Sequence, residues 1–171
     1  MGAIINYTKF VDPIYIDTSD VHERDNVNNN YCPYVEKKML KKLFGITLYT
    51  DFDANKTIAK YATLINGDTT AFTYNGYTKV FTGLKDMLAY FTYYFYIRKQ
   101  NRFNTQMGQM QAKVQNAERI SPAEDSMFAW NEGVKLYYET IDYINYKNDL
   151  VADTYANFLS EDLEEINSFG I

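Results

Sequence analysis

A chain of 171 residues, 46% of them apolar, is one domain's worth of sequence and long enough to bury a core. Its net charge of −5 excludes a protein that holds nucleic acid by its overall field, and one cysteine with one histidine excludes a disulfide framework or a Cys-based zinc site. No apolar run of about 18 residues occurs, and the start, MGAIINYTKFVDP, lacks a signal peptide's apolar stretch, so a soluble intracellular protein without membrane contact is expected.

In chain order, residues 1–30 read as an extended arm, because Pro13, the turn formers of 17–20 and the Asn-rich run 26–30 oppose long elements. Tyr15 and Ile16 could form a short strand or lie in a groove. A helix is expected from Pro33, a favoured first-turn residue, through Val35, Met39, Leu40 and Leu43 to Gly45, which ends it. A second helix is expected over 53–65, with Ile58, Tyr61, Ala62 and Ile65 on one side and Asn66-Gly67-Asp68 closing it. Residues 71–81 alternate about Asn75-Gly76, the signature of a type I′ hairpin. Such a flap is marginal alone and must pack on something.

The stretch 82–102 carries Leu84, Leu88, Phe91 and Phe95 as one helical stripe, and Tyr90, Tyr93, Tyr94 and Tyr96 fill much of the remaining circumference. It stops on Arg98, Lys99 and Arg102, cations suited to a helix C-terminus. Residues 104–120 are polar and Gln-rich. Ser121-Pro122-Ala123-Glu124 then reads as N-cap, N1 proline and capping-box acid of a second long helix. Its near-heptad seam is Met127, Trp130, Val134, Tyr137, Ile141 and Ile144, in about 25 residues or roughly 37 Å of helix. Trp130 and Val134 are expected against the Leu84–Phe91 stripe, since each long helix must bury its seam. Asn148-Asp149 interrupts, a shorter amphipathic piece follows (Val151, Tyr155, Phe158, Leu159), and the end is acidic. The expected fold is mainly α: a helical bundle built on two long helices, with one small β-hairpin and extended N- and C-terminal arms. The expected organisation is an arm at 1–30, a helical domain at 31–147 with the hairpin at 71–81, and an acidic C-terminal helix and tail at 148–171.

Chemistry-bearing residues are sparse. His22 lies alone on the arm, Cys32 has no local histidine partner, the eight glycines form no phosphate loop, and the acids of 161–165 lack EF-hand spacing. An enzyme, a cofactor or a metal is therefore not expected. Seventeen tyrosines and eleven phenylalanines against one tryptophan favour adaptable interfaces, or reflect A/T-rich coding. Charge is uneven. Residues 148–171 hold six acids and no Lys or Arg, whereas 78–119 hold Lys79, Lys85, Arg98, Lys99, Arg102, Lys113 and Arg119 against two acids. Acidic end and basic middle can meet within a subunit or between neighbours, or the acids simply form a solvated tail.

A helix ending in Leu43-Phe44-Gly45 with Leu48-Tyr49 soon after is followed by an aromatic helix opened by Gly83-Leu84-Lys85. Then come Thr105 and Gly108, the run Asn116-Ala117-Glu118 before Ser121-Pro122, and a helix ending in Tyr137, Tyr138, Tyr143 and Tyr146. Over residues 31–146 this order resembles the small head–tail connector (adaptor) proteins of tailed bacteriophages, particularly those infecting gut Bacteroidetes, including crAss-like phages.

The resemblance implies a non-catalytic virion protein, assembled in the host bacterial cytoplasm. It forms a homo-oligomeric ring, commonly of twelve copies, under the portal protein and in contact with other connector or tail proteins. Packaged DNA would pass through its channel without sequence-specific binding. In that setting the interface residues would be Arg98, Lys99, Arg102 and Arg119. Beyond the matched part, physical chemistry alone adds Tyr155 and Phe158 of the amphipathic piece, and Phe169 and Ile171, the apolar residues at the end of the acidic tail, which either dock on a neighbour or fray. Gln106, Gln109, Gln111 and Lys113 would face the channel or a neighbour. The alternative is a monomeric helical nucleic-acid-binding or regulatory protein using the Tyr90–Arg102 surface, with an enzyme of unrecognised type as a third class.

Overall fold

The N-terminal arm reaches α1 (Val21–Asn26), and a π-helical turn at Val27–Tyr31 carries it without a break into α2 (Cys32–Ala54). Then follow α3 (Ala59–Asn66), β1 (Asp68–Tyr74), β2 (Tyr77–Phe81), α4 (Leu84–Gln100), β3 (Phe103–Thr105), β4 (Gly108–Met110) and α5 (Pro122–Leu150). The structure is a computed structural model, and it describes residues 3–100, 103–105, 108–110 and 122–167.

The centre is the α4–α5 pair. Thr82 meets Glu139, Phe91 meets Trp130 and Gly133, and Tyr94 meets Trp130, so the two helices run antiparallel. Leu84, Leu88, Phe91, Val134, Tyr137 and Ile144 are buried, as the seams predict. Phe95 and Trp130 are half-buried and pack against the same core. The helices approach closely at Gly133, where an added Cβ would lie 2.8 Å from Cε1 of the buried Phe91 ring. Thr92 of α4 is buried, and its hydroxyl has no hydrogen-bond partner among the described residues.

The hairpin has the expected turn, with φ of 49° at Asn75 and 81° at Gly76. Its inward residues lie on the far end of α5: Phe81 stacks on Tyr143 with centroids 4.2 Å apart, and Phe72 meets Tyr143 and Tyr146 edge-on or tilted. Lys79 pairs with Asp142 at 2.6 Å, and the Tyr143 hydroxyl donates to Asp68 at 2.9 Å. That packing is what a two-stranded flap needs.

Several expectations are corrected. Gly45 ends the first run of α2 with φ 68° and ψ 170°, a conformation nearly confined to glycine, but the chain resumes helix immediately and continues to Ala54. Asp53 therefore belongs to α2. The next helix starts only at Ala59, after Asn55 caps Asp51 and Phe52. The Asn-rich run is helical rather than part of an extended arm, because Val27 and Tyr31 anchor it in the core while Asn28 accepts from the Tyr7 amide at 2.8 Å. The polar stretch after α4 contains a second short ladder, Phe103–Thr105 on Gly108–Met110, which three-residue strands leave no periodicity to announce. Among the described residues no helix follows Leu150: residues 151–157 form a bend and turns, with Asp153 and Asn157 at φ of 61° and 62°. Asp and Asn tolerate that left-handed conformation better than other non-glycine residues.

Both arms lie on the bundle. Ile5, Phe10, Ile14 and Ile16 are buried, and the Ile4 amide donates to Glu36 at 2.6 Å. At the other end, residues 158–167 form a strap held by side chains of α5. The Tyr137 hydroxyl donates to the Glu161 carbonyl at 2.7 Å, and Trp130 Nε1 donates to the Glu164 carbonyl at 2.8 Å. Tyr138 exchanges hydrogen bonds with both the amide and the carbonyl of Leu163. Asn131 does the same for Ile166, at 2.8 and 2.9 Å. On its other flank the Glu161 amide donates to the Lys42 carbonyl at 2.8 Å, and a Cβ on Gly45 would meet the Leu159 carbonyl at 3.1 Å. Side chains thus stand in for a neighbouring strand, satisfying backbone groups that would otherwise be buried unpaired.

Candidate interaction surfaces

The π-turn and the first turns of α2 face the C-terminal end of α4 across a concavity of about 800 Å³. Tyr31, Tyr34 and Phe95 give it aromatic walls, and Lys37, Arg98 and Lys99 give it charge. Tyr34 and Phe95 pack edge-on at 5.9 Å, and Lys38 lies over the Phe95 ring at 4.6 Å. Arg98 donates to the Tyr94 hydroxyl and covers that ring, while Lys99 covers Tyr31. Burial first, then the nearby Glu23 carboxylate, raises the pKa of Tyr31. Among the described residues no acid lines the concavity, and Lys37, Lys38, Arg98 and Lys99 make no ion pair. Lys38, Arg98 and Lys99 are held by rings, which leaves their charge directed outward.

The strap presents the opposite charge. Leu163 points inward, while Asp162, Glu164 and Glu165 are exposed. Glu161 is bound to Lys42. Asp162, Glu164 and Glu165 have no ion-pair partner among the described residues.

A second concavity of about 570 Å³ separates the N-terminal arm from the bundle and is lined by Lys9, Pro13, Asp86, Tyr90 and Glu132 among others. Lys9 and Asp86 pair across it at 2.5 Å, so its one cation among the described residues is already matched.

Of the expected interface residues, Arg98 and Lys99 are exposed on the first concavity. Tyr155 is not available to a neighbour. It is 2% exposed, packs near Tyr61, and donates its hydroxyl to the Lys60 carbonyl at 3.1 Å. Burial, then the Asp68 charge, pushes its pKa up to about 12. Phe158 is half-buried against the same core. Gln109 lies on β4 with its side chain outside the described residues, and Arg102, Gln106, Gln111, Lys113, Arg119, Ser121, Phe169 and Ile171 lie outside them altogether. The contribution of Tyr31 and of Tyr34, Lys37 and Lys38 on α2 is what the sequence reading missed. The α2 signal is an aromatic-and-basic outer face, Tyr34, Lys37 and Lys38, opposite the buried Val35, Met39 and Leu40.

His22 is exposed on α1, where its amide is capped by Asp20. Cys32 is buried, and desolvation, helped by Glu36, pushes its thiol up to about 12, which suits packing rather than nucleophilic chemistry. Among the described residues no three His, Cys, Asp or Glu side chains converge as metal ligands, and no helix is long and apolar enough to cross a membrane. One buried charge network exists: Lys56 bridges Glu36 at 2.7 Å and Asp53 at 2.9 Å, with the Lys56 and Glu36 side chains 10% and 7% exposed. Desolvation pulls the Lys56 pKa down, but the hydrogen bonds to Glu36 and Asp53 outweigh it and the net shift is upward. Glu36 also accepts from the arm, so this network fixes structure.

Residues 40–128 match the family DUF6712, described as a family of unknown function. The chain belongs to that family. No curated protein and no solved structure matches it. The DUF6712 match runs from the middle of α2 to the first turns of α5, so it includes Phe95, Arg98 and Lys99. Tyr31, Tyr34, Lys37 and the strap lie outside it.

Proposed function

We propose that this protein is a structural subunit of a phage head–tail connector, assembling as a ring beneath a portal and continuing its DNA channel. The reading rests first on the resemblance over residues 31–146. The observation that carries it is the α4–α5 pair, two long antiparallel helices locked by ring contacts and a close approach at Gly133. Such a pair is a stiff wall element. The polar stretch 101–121 joins its two helices at one end, where the resemblance places a segment facing the channel or the next ring. Uncompensated charge of opposite sign on two different surfaces favours a head-to-tail contact, the kind that closes rings. The test is to combine the purified protein with the portal protein encoded in the same genome and examine the mixture by electron microscopy and light scattering. Rings seated on the portal are expected. Persistent monomers with no portal binding, across salt and concentration, overturn the proposal.

A monomeric nucleic-acid-binding role is the second reading, favoured by the rings and cations beside Tyr34 and Arg98. Its signature is a monomer that binds single-stranded oligonucleotides with an affinity that falls steeply with salt.

A further inference from the structure

We propose that the concavity between α2 and α4 receives the acidic strap of a second copy of this chain, Asp162 and Glu164 of one subunit meeting Lys37, Arg98 and Lys99 of the next. This contact rests on the ring reading and supplies its subunit interface.

Each half of the contact lacks something within its own subunit. Of the fourteen described Lys and Arg residues, seven (Lys9, Lys42, Lys56, Lys60, Lys79, Lys135 and Lys147) have a carboxylate within 4 Å. Arg98 and Lys99 of the concavity lie instead on aromatic faces, and Lys37 has no ion-pair partner among the described residues. Asp162 and Glu164 flank the buried Leu163 and are exposed, so they stand as a short outward row. That row is rigid, because the intervening residue is bonded through both its amide and its carbonyl to Tyr138. A preformed row of charges loses little entropy on docking. The aromatic walls would exclude water around the pairs and strengthen them relative to an open surface.

Complementary patches at two different places on one subunit generate a heterologous interface, which propagates from copy to copy and closes when the rotation permits. An anionic strand of nucleic acid is the competing occupant of a basic aromatic groove. The chain's net charge of −5 disfavours its approach, whereas every copy carries the complementary acids.

The experiment is a charge swap in the full-length protein. One variant carries Lys37→Glu and Arg98→Glu, the other Asp162→Lys and Glu164→Lys; all four positions are exposed. Sedimentation velocity is run on wild type, each variant and their equimolar mixture, alone and with the portal. Wild type is expected to multimerise, and to do so less between about 0.1 and 1 M salt, where the screening length falls from about 10 to about 3 Å. Each variant alone is expected to lose at least about tenfold in self-affinity, because like charges then face each other. The mixture is expected to reassemble, since each variant supplies the complement of the other, and that recovery also shows that both are folded. A wild type that multimerises while both variants match it, or a mixture that fails to reassemble, overturns this interface and leaves the ring reading standing. A wild type that never multimerises, alone or on the portal, overturns the ring reading as well. A single-stranded oligonucleotide that binds wild type and is released by Lys37→Glu and Arg98→Glu, with self-association unchanged, assigns the groove to nucleic acid instead.

Discussion

Replacing Trp130 measures how firmly the two long helices and the strap are joined, because this one side chain touches all three. Its ring meets Phe91 at 5.2 Å and Tyr94 at 4.8 Å, and its Nε1 donates to the Glu164 carbonyl at 2.8 Å. A fully buried Trp→Ala change costs about 3–5 kcal/mol. Trp130 is only half-buried, which brings the packing loss to roughly 2–3 kcal/mol, and the lost hydrogen bond adds about 0.5–1.5 kcal/mol. Trp130→Ala is therefore expected to destabilise by about 3–4 kcal/mol. Trp130→Phe keeps a ring between Phe91 and Tyr94 but not the donor, so its cost should stay near 1–2 kcal/mol, roughly one hydrogen bond plus some contact area. Urea unfolding followed by circular dichroism gives both values by linear extrapolation. Limited proteolysis of the strap should quicken in both variants. A loss below about 1 kcal/mol for Trp130→Ala, or equal losses for the two variants, would refute the account of Trp130 as packing wedge and strap anchor.

Gly133→Ala should destabilise by about 1–3 kcal/mol in thermal melts despite alanine's better helix propensity, because its methyl must displace the buried Phe91 ring. Gly45→Ala should cost about 1–3 kcal/mol, since its backbone conformation is strained for any side chain and the Leu159 carbonyl is close; a neutral result would mean the bend relaxes without glycine. Lys56→Met should cost about 3–5 kcal/mol by leaving Glu36 buried without its cation. The Lys56 pKa is raised on folding, so its contribution is fully present below its ordinary value of 10.5 and is lost as pH rises through the folded value; denaturation above that pH should flatten in Lys56→Met. Asp68 has the opposite sign. The Thr70 amide, and then the Tyr143 hydroxyl against some desolvation, lower its pKa, so its stabilisation is present above 3.8 and disappears as pH falls further, and Asp68→Asn should remove that acid-side loss.

The elements legible in the sequence are those whose signal is periodic or stereochemical. The seams of α4 and α5 repeat over many turns, and Asn75-Gly76 demands its turn whatever surrounds it. What stayed hidden depends on contacts far apart in the chain. The π-turn follows from Val27 and Tyr31 entering the core, and the arm's path from Ile5 to Ile16 is set by bundle grooves that no local pattern describes. The strap has no secondary structure of its own, and its place is written in Trp130, Asn131, Tyr137 and Tyr138 on another element. The abundant tyrosine, which composition alone would assign to an outer surface, is divided: six of seventeen are buried and four exposed, and the hydroxyls of Tyr137, Tyr138 and Tyr155 cap backbone carbonyls. Half of the basic concavity was visible as the cations closing α4. The other half comes from α2, brought alongside only by folding.

The strap also bears on the order in which the molecule folds. Its ties reach back to Asn131 and Trp130, and across a separation of 119 residues to Lys42. Contacts that distant in the chain form late, after the nearer helix–helix contacts have repaid their loop-closure entropy. The α4–α5 pair and its hairpin can thus condense first, and the row at Asp162 and Glu164 becomes ordered only once Leu163 has found Tyr138. Until then those acids are loose charges, so completion of the fold and presentation of the acidic edge are one event.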